Sequence, residues 1–276
     1  MIPKGESDRR TSGVPKGESH RRTGGIGIII QARLGSTRLP GKVMLPLAGQ
    51  PVLWHVVNRC RYSTYIKEGA EIVVATTDQD SDQKIRQFCE SEKILFFQGS
   101  EHDVLARYFH CAGQFKFRTV VRVTADCPVI DPEIMDQTIA LHLQGEADYT
   151  TNRLVPTFPD GLDVDVLSGE CLRKVYEKAA KKSEREHVVP YIWDHSVEFR
   201  IREYRSPRDL SAYRWVLDEA ADYEFMQKLY GRLYQHGRVF AMEEILACLE
   251  KNQDWQNGNA HITRNEGYLK SIHGEV

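Results

Sequence analysis

The chain has 276 residues, 41% of them hydrophobic and 28% charged, with 37 lysines and arginines against 39 aspartates and glutamates. This is an ordinary soluble globule with enough chain for a sizeable core, and a net charge of -2 excludes a global field that recruits nucleic acid. The six cysteines form no C-x-x-C pair and no cluster with histidine, and no apolar run approaches the ~20 residues that cross a bilayer, so we expect reduced thiols, no zinc site, no membrane partner and a cytoplasmic location.

In chain order, the first element is a polar duplication. PKGESDRRTSG at Pro3 to Gly13 returns as PKGESHRRTGG at Pro15 to Gly25, and residues 1–25 read as a disordered, passive tail. From Ile26 the chain alternates apolar extended runs with amphipathic helical patterns, the signature of an α/β domain with a mostly parallel sheet and helices on both faces. IGIII (26–30), EIVVATT (71–77), ILFFQ (94–98) and TVVRVTAD (119–126) read as strands.

Helices are expected after Pro51, after Ser81 as N-cap, from near Asp103, and from Pro132 to about Gln144. Beyond Asn152, PTFPDGLDVDV reads as a turn followed by an alternating strand that puts Asp163 and Asp165 on one face. A helix with Leu172, Val175, Tyr176 and Ala179 follows, then one interrupted at Pro190. EFRIREYR and AYRWVLD read as further strands, and helices over 219–230 and 242–252 end a single domain of 26–252. Residues 253–276 show no periodicity and are expected to be an irregular tail.

The loop QARLGSTRLPGK after the first strand carries Gly35 and Gly41 with Arg33, Arg38 and Lys42, the ingredients of a phosphate cradle at the carboxyl edge of the sheet. It is not a Walker loop, because Ser36 stands where the first glycine belongs and Val43 where a magnesium-binding hydroxyl belongs. Two acids end later extended runs. Asp126 in RVTADCPVIDP and Asp218 in RWVLD can each bind a metal or cap the following turn.

The run Ala32, Arg33, Ser36, Thr37, Arg38, Leu39, Pro40, Gly41 and Lys42 resembles the A-R-x-x-S-T-R-L-P-G-K signature of the 3-deoxy-manno-octulosonate cytidylyltransferases. It is also similar to the looser A-R-x-G-S motif of the acylneuraminate cytidylyltransferases, and residues 26–252 look most like the branch of spore coat polysaccharide biosynthesis protein F. The resemblance implies a Rossmann-like GT-A nucleotidyltransferase fold in which Ala32, Arg33, Gly35, Ser36, Arg38 and Lys42 hold the triphosphate of CTP. By the same resemblance, Arg33, Lys42 and Asp126 are catalytic, Asp126 and Asp218 hold Mg²⁺, and Asp222 caps or orients.

Gly99, Ser100 and Asp103 of QGSEHDVLAR occupy the place of the relatives' base-binding stretch, with helix capping by Asp103 as the competing account. Asp163, Asp165, Glu186 and His187 fall in the acceptor or dimer-forming subregion, about 150–205, where His187 is either a general base suited to neutral pH or a core histidine. The activity implied is transfer of CMP from CTP to an acidic sugar with release of pyrophosphate, by a homodimer, in surface polysaccharide biosynthesis. The alternatives are a GT-A glycosyltransferase using Asp163 and Asp165 as a D-x-D pair, or a non-catalytic nucleotide-binding subunit.

Overall fold

The computed structural model describes residues 25–274; the expectation for the N-terminal duplication lies outside the described residues apart from Gly25. Strand β1 (Ile26–Gln31) leads through the basic loop to a two-stranded hairpin, β2 (Pro46–Leu47) and β3 (Gln50–Pro51). Then come α1 (Val52–Cys60), α2 (Thr64–Lys67), β4 (Glu71–Thr77), α3 (Gln83–Ser91), β5 (Leu95–Gly99), α4 (Val104–Phe115), β6 (Thr119–Thr124) and α5 (Pro132–Leu143). The remainder holds β7 (Tyr149–Thr151), β8 (Asp165–Ser168), α6 (Gly169–Lys178), α7 (Lys182–His187), α8 (Pro190–Asp194), β9 (Ile201–Glu203), α9 (Ala220–Leu233), α10 (Met242–Glu250) and α11 (Glu266–His273).

Seven strands form one sheet in the order β5-β4-β1-β6-β8-β7-β9. β5, β4, β1 and β6 are parallel, as their continuous apolar runs predict, and β8 joins β6 antiparallel. Side chains alternate across the pleat: Ile26, Ile28 and Ile30 of β1 meet α1, α3 and α5, whereas Ile29 meets α4 and α6 on the other face. A third cluster packs α9 and α10 around Trp215, Phe158 and Leu162, next to the loops that carry the acids. Among the described residues no helix is long and apolar enough to cross a membrane, and all six cysteines are buried free thiols.

Four expectations need correction. AYRWVLD makes no strand; it is extended, tied to the sheet side by a single bridge between Asp160 and Arg214. The expected strand EFRIREYR shrinks to Ile201–Glu203. Ser81 lies within a 3-10 turn, and α3 starts one residue later than it would cap. The tail is not irregular: α11 folds back against α7, with His187 and Tyr268 rings 5.3 Å apart. Its amphipathic turns are short and bury no side chain fully, which leaves little periodic signal to read.

Gly27 marks the tightest packing on β1. A Cβ there would stand 2.0 Å from Phe117 Cδ2, so the ring would have to move. Gly27→Ala is expected to cost roughly 1–3 kcal/mol, read as a lower urea midpoint with an unchanged slope.

Candidate active site

The loop between β1 and the 3-10 turn Lys42–Met44 is fastened at several backbone points. The Leu34 N–H donates to Asp82 Oδ1 (2.7 Å), and the Gly41 N–H donates to the Leu34 carbonyl (3.1 Å). Gly41 takes φ 68°, a left-handed conformation suited to glycine, and so reverses the chain and delivers Lys42 inward. Asp126 follows the end of β6. The Leu217 N–H donates to the Asp126 carbonyl at 2.8 Å, which draws the extended segment 214–218, and with it Asp218, beside Asp126.

All three predicted groups meet there. Lys42 Nζ lies 2.6 Å from Asp126 Oδ2 and 2.6 Å from Asp218 Oδ1. Burial is the largest influence on the lysine and opposes its charge, but the two carboxylates outweigh it and its pKa is raised. Burial likewise pushes Asp126 up, yet Lys42 prevails and holds it at about 2. Arg38 contacts Asp218 at 2.9 Å and Glu266 at 3.1 Å.

Asp222 is fully buried and accepts from the Asp218 and Glu219 backbone N–H groups (both 3.0 Å) while Arg214 grips it from below (2.9 and 2.8 Å). It therefore orients Asp218 and is closed to any ligand. These groups border a cleft of about 430 Å³ at the carboxyl ends of β1 and β6.

Of the remaining loop residues, Arg33 lines the cleft without a side-chain partner among the described residues, and Ala32 is anchored by its N–H to the Ala75 carbonyl (3.1 Å). Ser36 also lines the cleft, its hydroxyl accepting from the Leu39 N–H (3.3 Å), and Gly35 sits against Glu101. Gly99, Ser100 and Asp103 are absent from the cleft wall. Ser100 Oγ accepts from the Asp103 N–H, and Asp103 caps α4 through the Ala106 N–H (2.8 Å) while Arg185 holds its other oxygen (Nε 2.9 Å). The capping account is thus the one the geometry displays.

On the opposite wall, the two acids of the D-x-D alternative do not share a strand face. Only Asp165 belongs to β8, and it is 1% exposed, receiving Arg122 (2.9 Å), Tyr149 Oη (2.5 Å) and Thr151 Oγ1 (2.8 Å). Asp163 precedes the strand and is held by Arg264 (2.5 Å) and Arg153 (3.5 Å). Glu186 and His187 both line the cleft, but His187 does not suit neutral pH as a base. Burial, with help from nearby arginines, lowers its pKa to about 4, and its Nε2 lies 3.0 Å from Ser271 Oγ.

His55 and His142 are likewise depressed to about 4 by burial. Between about 6.5 and 4 these three histidines bind fewer protons in the folded chain than in the unfolded one, so their contribution to stability is lost as pH falls through that window, opposed in part by the raised carboxyl of Asp160. Thermal melts should therefore drop by several degrees from pH 6.5 towards pH 4, and His142→Gln should flatten the profile.

Sequence reasoning missed Asp82, Arg107, Arg153 and Asp160, all placed by long-range packing. Asp160 is pushed up to about 7 by burial and by the charge of Asp163. It also missed the C-terminal segment, which closes one side of the cleft with Asn265, Glu266, Tyr268 and Lys270.

A profile of the cytidylyltransferases matches residues 27–258. The chain is 34% identical over 230 residues to spore coat polysaccharide biosynthesis protein SpsF of Bacillus subtilis, spanning 82% of this chain and 94% of that protein. The solved structure of a cytidylyltransferase from Leptospira borgpetersenii is similar with a TM-score of 0.79 and 32% identity, covering 87% of this chain and 97% of that one. A CMP:2-keto-3-deoxy-manno-octonic acid synthetase, solved with CTP, shares the fold at TM-score 0.60 and 17% identity, covering 76% and 100%. Sequence and fold therefore agree with the paired acids and the basic loop: the chain belongs to the cytidylyltransferase family and is a nucleotidyltransferase.

Proposed function

We propose that this enzyme transfers CMP from CTP to a hydroxyl of an acidic sugar, releasing pyrophosphate. One observation carries the reading: Lys42 gathers Asp126, just past the end of β6, and Asp218, at the end of the extended segment 214–218, beside a basic loop in a single cleft. Nucleotidyl transfer needs charge compensation on phosphate oxygens and an in-line approach, with little covalent work by the protein.

Arg33 and Lys42 neutralise the phosphates, Ser36 and the loop amides hydrogen-bond to them, and Arg38 fixes the loop to Asp218. Asp126 and Asp218 would hold Mg²⁺. The fit is supported by the donor set, two carboxylates that already share one cation, the Lys42 ammonium. When bound, Mg²⁺ would supply Lewis-acid compensation of phosphate charge. The acceptor faces the wall of Arg153, stacked over Trp193 at 5.3 Å, and Glu186. CTP in the structurally similar octonic acid synthetase supports the choice of nucleotide.

A pyrophosphate-release screen of all four nucleoside triphosphates against a panel of carboxylated sugars tests the reading. Release with CTP and at least one such sugar is expected. Free nucleoside monophosphate or diphosphate from a sugar nucleotide, without pyrophosphate from any triphosphate, would overturn it.

A further inference from the structure

Most cations on the cleft wall are already matched by acids. Lys42 serves Asp126 and Asp218, Arg38 serves Asp218 and Glu266, Arg122 serves Asp165, and Arg153 serves Asp163. Arg33 and Arg107 are different: neither makes a side-chain hydrogen bond or ion pair among the described residues, and both line the cleft.

Arg107 is the more telling of the two. It projects from α4, is 2% exposed, and encloses its Nε and Nη1 with no acceptor for either. A guanidinium cannot shed its charge, and an enclosed donor without an acceptor carries the full cost of its lost hydration. Asp82 and Glu101 lie near enough for their charges to favour the guanidinium, but neither hydrogen-bonds to it; Asp82 instead accepts from the Leu34 N–H and from the Thr76 and Thr77 hydroxyls.

Arg33 lies close enough for its positive charge to act on Arg107, so the two repel across the same wall. A Cβ at Gly99 would crowd Phe97 Cε1 at 3.0 Å and only touch Arg107 Cγ at 3.5 Å. An arrangement of two unmatched guanidiniums, one of them enclosed, is completed by an oxyanion that accepts from both.

We propose that Arg107 is a ligand-binding residue that forms, with Arg33, an oxyanion seat on the α4 wall of the cleft. The shared chemistry is a phosphate or carboxylate group, supplied by the nucleotide's phosphate chain or by the acidic acceptor. The inference rests on the nucleotidyltransferase reading, since it takes the cleft to be the substrate site.

The test titrates the full chain and its Arg107→Met and Arg107→Lys variants by calorimetry, with magnesium present. One arm uses pyrophosphate and CTP; the other uses N-acetylneuraminate and 3-deoxy-manno-octulosonate. Arg107→Met should lose roughly tenfold or more in affinity in one arm, which identifies the source of the oxyanion, and Arg107→Lys should recover only part because it lacks the planar fork.

Without ligand, Arg107→Met should melt no lower than the parent, since it removes an unmatched buried charge, while its ligand-induced rise in Tm shrinks. Unchanged affinity for every probe the parent binds would overturn the proposal. So would a lower Tm of the free variant with the ligand-induced rise intact, which is the mark of a structural arginine. If the parent binds none of the four probes, the nucleotidyltransferase reading itself fails and takes this inference with it.

Discussion

Asp126→Asn is expected to slow pyrophosphate release by on the order of a thousandfold while leaving the protein folded. The substitution keeps the shape and the backbone carbonyl that receives the Leu217 N–H, so the segment carrying Asp218 stays in place. What it removes is one of two negative charges at the point where the phosphates and their metal must be balanced. Lys42 keeps its contact with Asp218 and can still form a hydrogen bond with the asparagine oxygen, so little local rearrangement is expected. Single-turnover pyrophosphate release, with circular dichroism as the folding control, measures the effect. Activity near that of the parent would remove Asp126 from the reacting centre.

The largest loss of stability is expected for Asp222→Ala. The carboxylate is fully buried and accepts from Arg214 twice, from Asn259 Nδ2 (3.0 Å) and from two backbone N–H groups. Its removal strands the buried Arg214, which keeps only Asp160 at 3.3 Å and the edge of Asp218 at 3.6 Å. Breaking a buried pair from one side costs about 3–5 kcal/mol, a large part of a typical domain's stability. Urea unfolding should show the loss directly. In variants that remain folded, activity should also fall, because the amides of Asp218 and Glu219 lose the acceptor that sets the start of α9.

The parallel half of the sheet was legible because burial on both faces forces continuous apolar runs, as in EIVVATT, whose predicted bounds match β4. The loop and both acids were legible as residues too, although the segment that carries Asp218 is extended chain and not the strand its pattern suggested. The opposite wall was not. Asp165 looks like half of a metal motif in the sequence and becomes the buried partner of Arg122, 43 positions earlier, a pairing that only the antiparallel register of β6 and β8 creates.

Asp82 stands just before α3 in a polar stretch that marks no site, and its side chain anchors the basic loop from 48 residues away. Arg107 sits in an ordinary amphipathic helix, where a single arginine carries no periodic signal. The C-terminal helix escaped for a related reason: its contacts, not its own pattern, hold it in place.

Because Lys42 and Arg38 together already balance Asp126 and Asp218, the empty enzyme needs no divalent ion to keep two carboxylates side by side. Metal is thereby uncoupled from folding, unlike in small metallo-domains whose ligands repel one another until the ion arrives. A chelator is expected to abolish turnover yet leave the unfolding temperature where it was, whereas in Lys42→Ala the acid pair, left with Arg38 on Asp218 alone, should make that temperature rise on adding magnesium. The lysine thus works as a resident counter-ion. Under the proposed function, it lets the chain fold without metal, and the ion joins when nucleotide is there to share it.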